Sequence, residues 1–221
     1  MARKPKIKGA FSIDENTQVV FSRGNLQLGG VTHGWRFAEH QYDYLGEANE
    51  NPGPDDWVDL FDWDTGHNPA GPFIGGEGYD DWRLMNQNEW GNLFYERETK
   101  SGMSFAKAKV HGVNGLVLVP DSWDGSDYEF ENADEEDAPF DDNVISDEQW
   151  DALEKAGVVF LPAAGLECGG LDDLGITGNY WTSSPMGSEG AMNFQFFDED
   201  FFIDEVDRFF RFSIRLVREV K

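Results

Sequence analysis

The chain has 221 residues, with 43 acidic against 17 basic side chains and a net charge of −26. That balance disfavours nucleic acid and anionic membrane surfaces as partners, because both call for a basic face. The single cysteine, Cys168, excludes an intramolecular disulfide, and 18 Phe, 8 Trp and 25 Gly argue for a loop-rich globular fold rather than disorder.

Residues 1–8 form a basic tail without the apolar run of a signal peptide. No window reaches transmembrane length, so no membrane insertion is expected. A cytoplasmic protein or a phage virion component fits these features. Residues 9–221 read as one domain. Residues 9–28 alternate as two short strands around Arg23-Gly24, and Trp35-Arg36-Phe37-Ala38 follows as a third strand or edge segment. Residues 39–82 carry many rings, Tyr42, Trp57, Trp63, Phe73, Tyr79 and Trp82 among them, yet Pro52, Pro54, Pro69 and Pro72 prevent long elements. An ordered loop region packed on the core is expected there.

A helix is predicted over 87–97. Asn86 caps it, Glu89 closes a capping box, and Trp90, Leu93 and Phe94 share one stripe. Residues 104–110 read as a strand, 113–115 as a turn, and 116–120 as a strand buried on both faces. Residues 121–142 hold 11 acids and no base, which predicts a mobile, solvated loop. A second helix spans 147–156, with Ser146 as cap, Gln149 closing the box and Gly157 as stop. Residues 158–165 read as another buried strand, and 180–184 and 192–196 as two more. In 210–216, Phe210, Phe212, Ile214 and Leu216 share one face and Arg211, Ser213 and Arg215 the other, the best period-2 pattern in the chain. Taken whole, 185–210 suits neither one helix nor one strand.

The catalytic inventory is thin, and the chain is expected not to be an enzyme. His33, His40, His67 and His111 lack zinc-site spacing. Ser183 and Ser184 lack a nucleophile-elbow frame, and Cys168 has no nearby base. No cofactor is called for. Asp121, Asp124 and Asp127 alternate with Gly125 and Ser126 and are the weak candidates for Ca²⁺, outside any EF-hand pattern. A second acidic cluster, Asp198 to Asp207, is interleaved with the ring pairs Phe196-Phe197, Phe201-Phe202 and Phe209-Phe210. A strand with one buried face sends only one ring of each pair inward; the other is exposed or covered by a ligand. The acidic excess is read mainly as solubility, with a cationic ligand, Ca²⁺ or nucleic-acid mimicry as sharper readings.

Three stretches carry a resemblance: Gly178-x-Tyr180-Trp181-Thr182-Ser183-Ser184, Ala191-Met192-x-Phe194-x-Phe196, and Arg208-Phe209-Phe210-x-Phe212-Ser213-Ile214-Arg215-Leu216-Val217-Arg218. With Trp35-Arg36-Phe37-Ala38 and Val159-Phe160-Leu161-Pro162-Ala163-Ala164-Gly165, they resemble C-type-lectin-fold domains of gut Bacteroides and their phages, akin to the Fibrobacter succinogenes major paralogous domain. The resemblance implies an α+β fold of the formylglycine-generating-enzyme-like subtype, with two helices packed on short twisted antiparallel sheets. Members of this fold class serve as variable proteins of diversity-generating retroelements, which hypermutate a C-terminal cassette between fixed framework residues. The implied function is non-enzymatic recognition of a cell-surface protein or glycan. The alternative is a phage virion decoration or fibre subunit, a homo-oligomer included. The implied ligand face comprises Tyr180, Trp181, Met186, Ser188, Glu189, Met192, Phe197, Glu199, Phe201, Phe202, Asp204, Glu205, Asp207, Phe209 and Phe210, with display concentrated in 185–190 and 197–210.

Overall fold

The computed structural model describes residues 6–67 and 81–220. Residues 1–5 of the basic tail, and Pro69, Pro72, Phe73 and Tyr79 of the ring-rich stretch, lie outside the described residues. Strand β1 (Phe11–Ser12) pairs antiparallel with β2 (Gln18–Phe21). β3 (Leu26–Gly29) is followed by α1 (Gly30–His33) and pairs with β4 (Gly34–Phe37) and β5 (Trp57–Val58). The short helix α2 (Trp63–His67) precedes α3 (Gln87–Gly91). The strands β6 (Phe105–Val110), β7 (Val113–Leu118) and β8 (Val144–Ile145), then helix α4 (Asp147–Ala156) and strand β9 (Val159–Pro162), come next. These strands form one sheet in the order β8-β6-β7-β9. The short strands β10 (Leu166–Glu167) and β11 (Leu171–Asp172) pair with each other. β12 (Gly178–Met186), β13 (Gly190–Phe196) and β14 (Phe201–Asp207) form an antiparallel meander, and β15 (Val217–Glu219) returns to β2. Few helices and several small sheets make a mixed architecture compatible with the α+β class. One pair, β6–β8, is parallel rather than antiparallel. No helix among the described residues is long and apolar enough to cross a membrane.

Both predicted helices keep their caps. Asn86 accepts from the Asn88 and Glu89 amides while Glu89 reaches back to the Asn86 amide. The rest of the predicted 87–97 helix widens into a π-helical turn, Asn92–Glu96. α4 carries the Ser146–Gln149 box and stops at Gly157, whose φ is 102°. The β6–β7 turn lies at His111-Gly112, not at 113–115. Both turn residues have positive φ, 50° and 79°, as a tight two-residue hairpin requires. Gly115 is instead inside β7, where a Cβ would sit 2.4 Å from the Leu161 carbonyl oxygen.

Residues 121–142 are packed, which corrects the solvated-loop expectation. Trp123, Phe130, Ala138 and Phe140 are buried. Asp134 accepts the Ser104 and Phe105 amides at 2.7 and 3.0 Å, and the Asn143 side chain ties Glu131 to Lys107. The acids therefore line the outer side of a chain anchored by rings and amides.

The described part of 39–67 is held by buried polar hubs. Gln41 donates to the Val158 carbonyl and accepts from the Phe160 amide and from Arg215. Asp59 accepts from the Leu45 amide and from Asn49. Burial pushes its carboxyl up to about 6 from 3.8. The folded protein thus keeps a proton that the unfolded chain has already lost. Stability from this group is full below about pH 4 and falls as pH rises through about 6, by on the order of 3 kcal/mol. Urea unfolding at about pH 4.5 and about pH 7.5 should show this, and Asp59→Asn should remove that part of the difference.

The centre of the β12–β13–β14 sheet, from the first half of β12 through β13, is covered on both sides, while β14 is mostly open to solvent. Tyr180, Phe194, Phe196 and Phe201 join the cluster around Trp90 and Phe94, with Ile203 packed against it. Trp181 and Ala191 join the cluster around Trp35, Phe61 and Phe212, with Val206 against it. β14 is an edge strand with Phe201 alone fully buried and Asp204, Glu205 and Asp207 exposed, so its sequence shows no clean alternation and it was not legible within 185–210. Gly178 opens β12 because the Phe196 ring lies across it: a Cβ there would fall 2.1 Å from ring carbon Cζ.

The segment 210–216 is extended but forms no single strand. Phe212 bridges Phe61, Ser213 bridges Tyr180, and Arg211 bridges Glu167. Of its predicted polar face, Ser213 and Arg215 are essentially inaccessible while Arg211 is exposed. Arg215 donates to Gln41 Oε1 at 2.8 Å, and desolvation lowers its pKa to about 10.

Candidate functional site

Three expected face residues are core. Tyr180 and Trp181 have no exposed surface and Phe201 is 2% exposed. Tyr180 donates to the Pro162 carbonyl and Trp181 Nε1 to the Phe61 carbonyl. Phe201 packs on Phe94 and Phe105, with centroids 5.1 and 4.8 Å away. None of these rings reaches a ligand, because the inner sides of β12 and β14 carry them.

The other expected residues fall at two ends of the meander. At one end are Met186, Ser188, Glu189, Asp207, Phe209 and Phe210; at the other are Phe197, Glu199 and Phe202. β14 separates them by roughly 20 Å, at about 3.3 Å per residue. Asp204 and Glu205 are exposed between the two ends, while Met192, opposite Glu205, is half-buried. Phe197 and Phe202 meet edge to face at 6.2 Å.

The first end forms a cleft of about 580 Å³, lined on the meander side by Ser188, Glu189, Asp207 and Phe209. Its other wall is Asp62 and Asp64, at the start of α2, and Arg208 and Arg211 complete it. Asp62 caps α2 by accepting the Thr65 amide and hydroxyl. Trp63 fixes the wall, donating from its amide to the Arg208 carbonyl and from Nε1 to the Thr182 carbonyl. No local sequence signal announced this contact, since Trp63 and Thr182 are 119 residues apart.

Arg208 is the clamp. Its guanidinium lies 4.2 Å from the Trp63 ring centroid, and it donates to the Gly190 and Gly187 carbonyls. Arg211 is extended against Glu167, with backbone bonds in both directions and an ion pair of 2.6 Å. Phe209 is 64% exposed and stacks on Phe210 at 5.1 Å. Phe210 contacts Phe212, which contacts Trp181 at 4.5 Å. A ladder of rings thus runs from the cleft mouth to the core.

The free edge of β14 is guarded. The bonds from the Phe197 amide to the Asp200 carbonyl and from the Arg208 amide to the Glu189 carbonyl set the ladder's alternation. Phe201, Ile203, Glu205 and Asp207 consequently direct their backbone groups away from β13. Two of those amides are capped by carboxylates: Phe201 by Asp200 at 2.8 Å and Glu205 by Asp204 at 2.7 Å. Charge along an edge opposes pairing with another chain.

Two of the three Ca²⁺ candidates have other partners. Asp121 accepts from the Ser12 amide and hydroxyl, from Gln18 and from Arg97. Asp124 pairs with Lys100 and accepts from Ser126. No family model, no curated protein and no solved structure matches the chain.

Proposed function

We propose that this chain is a non-enzymatic recognition domain of the C-type-lectin fold, formylglycine-generating-enzyme-like subtype. Its C-terminal segment presents a binding face to a protein or glycan on a cell surface, as in retroelement-diversified variable proteins. Phe209 carries this reading: a large ring mostly exposed, set among acids and backed by packed rings down to Trp181. A rigid, exposed aromatic anchor is the type of residue that dominates binding energy. Support for the fold comes from two capped helices, short sheets, and the strands β12 and β13 at two of the three motif stretches. Support for diversification comes from 187–189 and 208–209, turn residues whose side chains mostly point outward and carry little of the core. Arg208 and Arg211 engage backbone carbonyls and Glu167, an arrangement that holds loop shape.

Binding to intact bacterial cells and to a glycan array tests the reading. Phe209→Ser should weaken binding about 30-fold, the equivalent of about 2 kcal/mol. Its thermal midpoint should stay that of the parent. Glu189→Lys should change ligand preference. Binding unaltered by both substitutions would refute the assignment. The virion-subunit alternative would use the same face between copies, and the guarded edge of β14 disfavours it. A monomeric mass in solution is expected; a stable trimer would favour assembly instead.

A further inference from the structure

We propose a second binding site, in the cleft beside β4, for a ligand bearing a carboxylate group, with Arg36 as its receptor. It shares no lining residue with the C-terminal cleft and stands independently of the proposed function. The Arg36 side chain is fixed from two directions. Its guanidinium carbon lies 3.5 Å from the centroid of the Trp57 ring, and Nε donates to Gln27 Oε1 at 2.8 Å. Gln27 is buried, and its oxygen is fixed on Arg36. Arg36 Nε only donates, so the Gln27 oxygen faces it.

Anchored through Nε and one ring face, the guanidinium has its two Nη groups left over. Neither has a hydrogen-bond or ion-pair partner among the described residues. Burial lowers the pKa of Arg36 and the Glu39 and Asp43 charges oppose that shift, while the half-buried side chain leaves the Nη groups open to the cleft. They border a cleft of about 600 Å³, with Phe37, Tyr44 and Leu45 as its apolar surface.

A planar monoanion fits this arrangement. The guanidinium fork offers parallel N–H groups that match the two oxygens of a carboxylate. Arg23 lines the same cleft, and Glu39 and Asp43 stand on its rim. Asp43 is engaged by the His40 amide and ring, at 2.8 and 3.1 Å. Two arginines against two carboxylates leave the lining near neutral, so a phosphate dianion meets more repulsion than a carboxylate does. A peptide C-terminus and an acidic sugar both carry the required group, and the apolar surface takes the remainder of either.

Calorimetric titration of the full chain with N-acetylphenylalanine, N-acetylneuraminic acid, acetate and inorganic phosphate tests the site. At least one of the first two should saturate at one site per chain below about 10 mM, and more tightly than acetate or phosphate. Arg36→Ala should abolish that binding. Arg36→Lys, which keeps charge but loses the fork, should weaken it at least about tenfold. Glu39→Gln should strengthen it about threefold by removing a rim charge, a gain that misfolding cannot produce. The proposal is overturned by absence of saturation with both carboxylate probes, by tighter phosphate binding, or by binding that Arg36→Ala leaves intact.

Discussion

Phe201→Ala should lower the unfolding free energy by about 3–5 kcal/mol, whereas Phe202→Ala should cost less than about 1 kcal/mol. The two rings are neighbours in sequence and opposite in surroundings. Phe201 is 2% exposed and lies within ring contact of Phe94, Tyr95, Phe105 and Phe194. Removing it opens a cavity among side chains that are already fixed, so both transfer and cavity costs apply. Phe202 is only half-buried, and its one ring neighbour among the described residues is Phe197. For a chain of this length the Phe201 loss corresponds to a fall in Tm of roughly 10 °C. Urea denaturation of both variants measures the difference directly. Equal losses would show that β14 is not seated as described.

Asp121→Ala should cost about 3–5 kcal/mol, and the loss should be the same with Ca²⁺ or with chelator. The Arg97 side chain is fully buried and donates to the Leu93, Val119 and Ser104 carbonyls as well as to Asp121. Desolvation lowers the Arg97 pKa and the Asp121 charge opposes that. Without Asp121 a buried cation loses its counter-charge, and Ser12 and Gln18 lose their acceptor as well. The pair thereby ties β1 and β2 to the end of the π-helical turn. Asp127→Ala, exposed in the same acidic stretch, should stay within about 0.5 kcal/mol of the parent. A loss at Asp121 that appears only when Ca²⁺ is present would mean that this carboxylate is a metal ligand after all.

The parts legible in the sequence are those whose causes are local. The Asn86 and Ser146 caps lie three residues from the partners that complete them. The apolar runs of β7 and β9 need only burial on both faces. Long-range causes left no such trace. Arg215 looks outward by alternation, yet its partner Gln41 is 174 residues away. Asn114-Gly115 looks like a hairpin turn, yet the Phe160 ring and Leu161 carbonyl crowd Gly115 and the chain turns at His111-Gly112. In 121–142 the acids outnumber the anchors, but Trp123, Phe130 and Phe140 decide the packing. At the candidate site, the ring pairs correctly raised the question of which member is exposed. Only the position of β14 between two clusters answers it, inward for Phe201 and partly outward for Phe202. The α2 wall, Asp62 and Asp64, had no signal, because the Trp63–Thr182 contact that places it joins distant segments.

The central claim is that the cleft around Phe209 meets the ligand. Hydrogen–deuterium exchange, with and without a ligand recovered from the cell or glycan screen, tests it most directly. Added protection is expected in 186–190 and 207–211, with α4 and β9 unchanged. Protection confined to α4 and the β6–β9 sheet, with 207–211 exchanging as in the free protein, would contradict it.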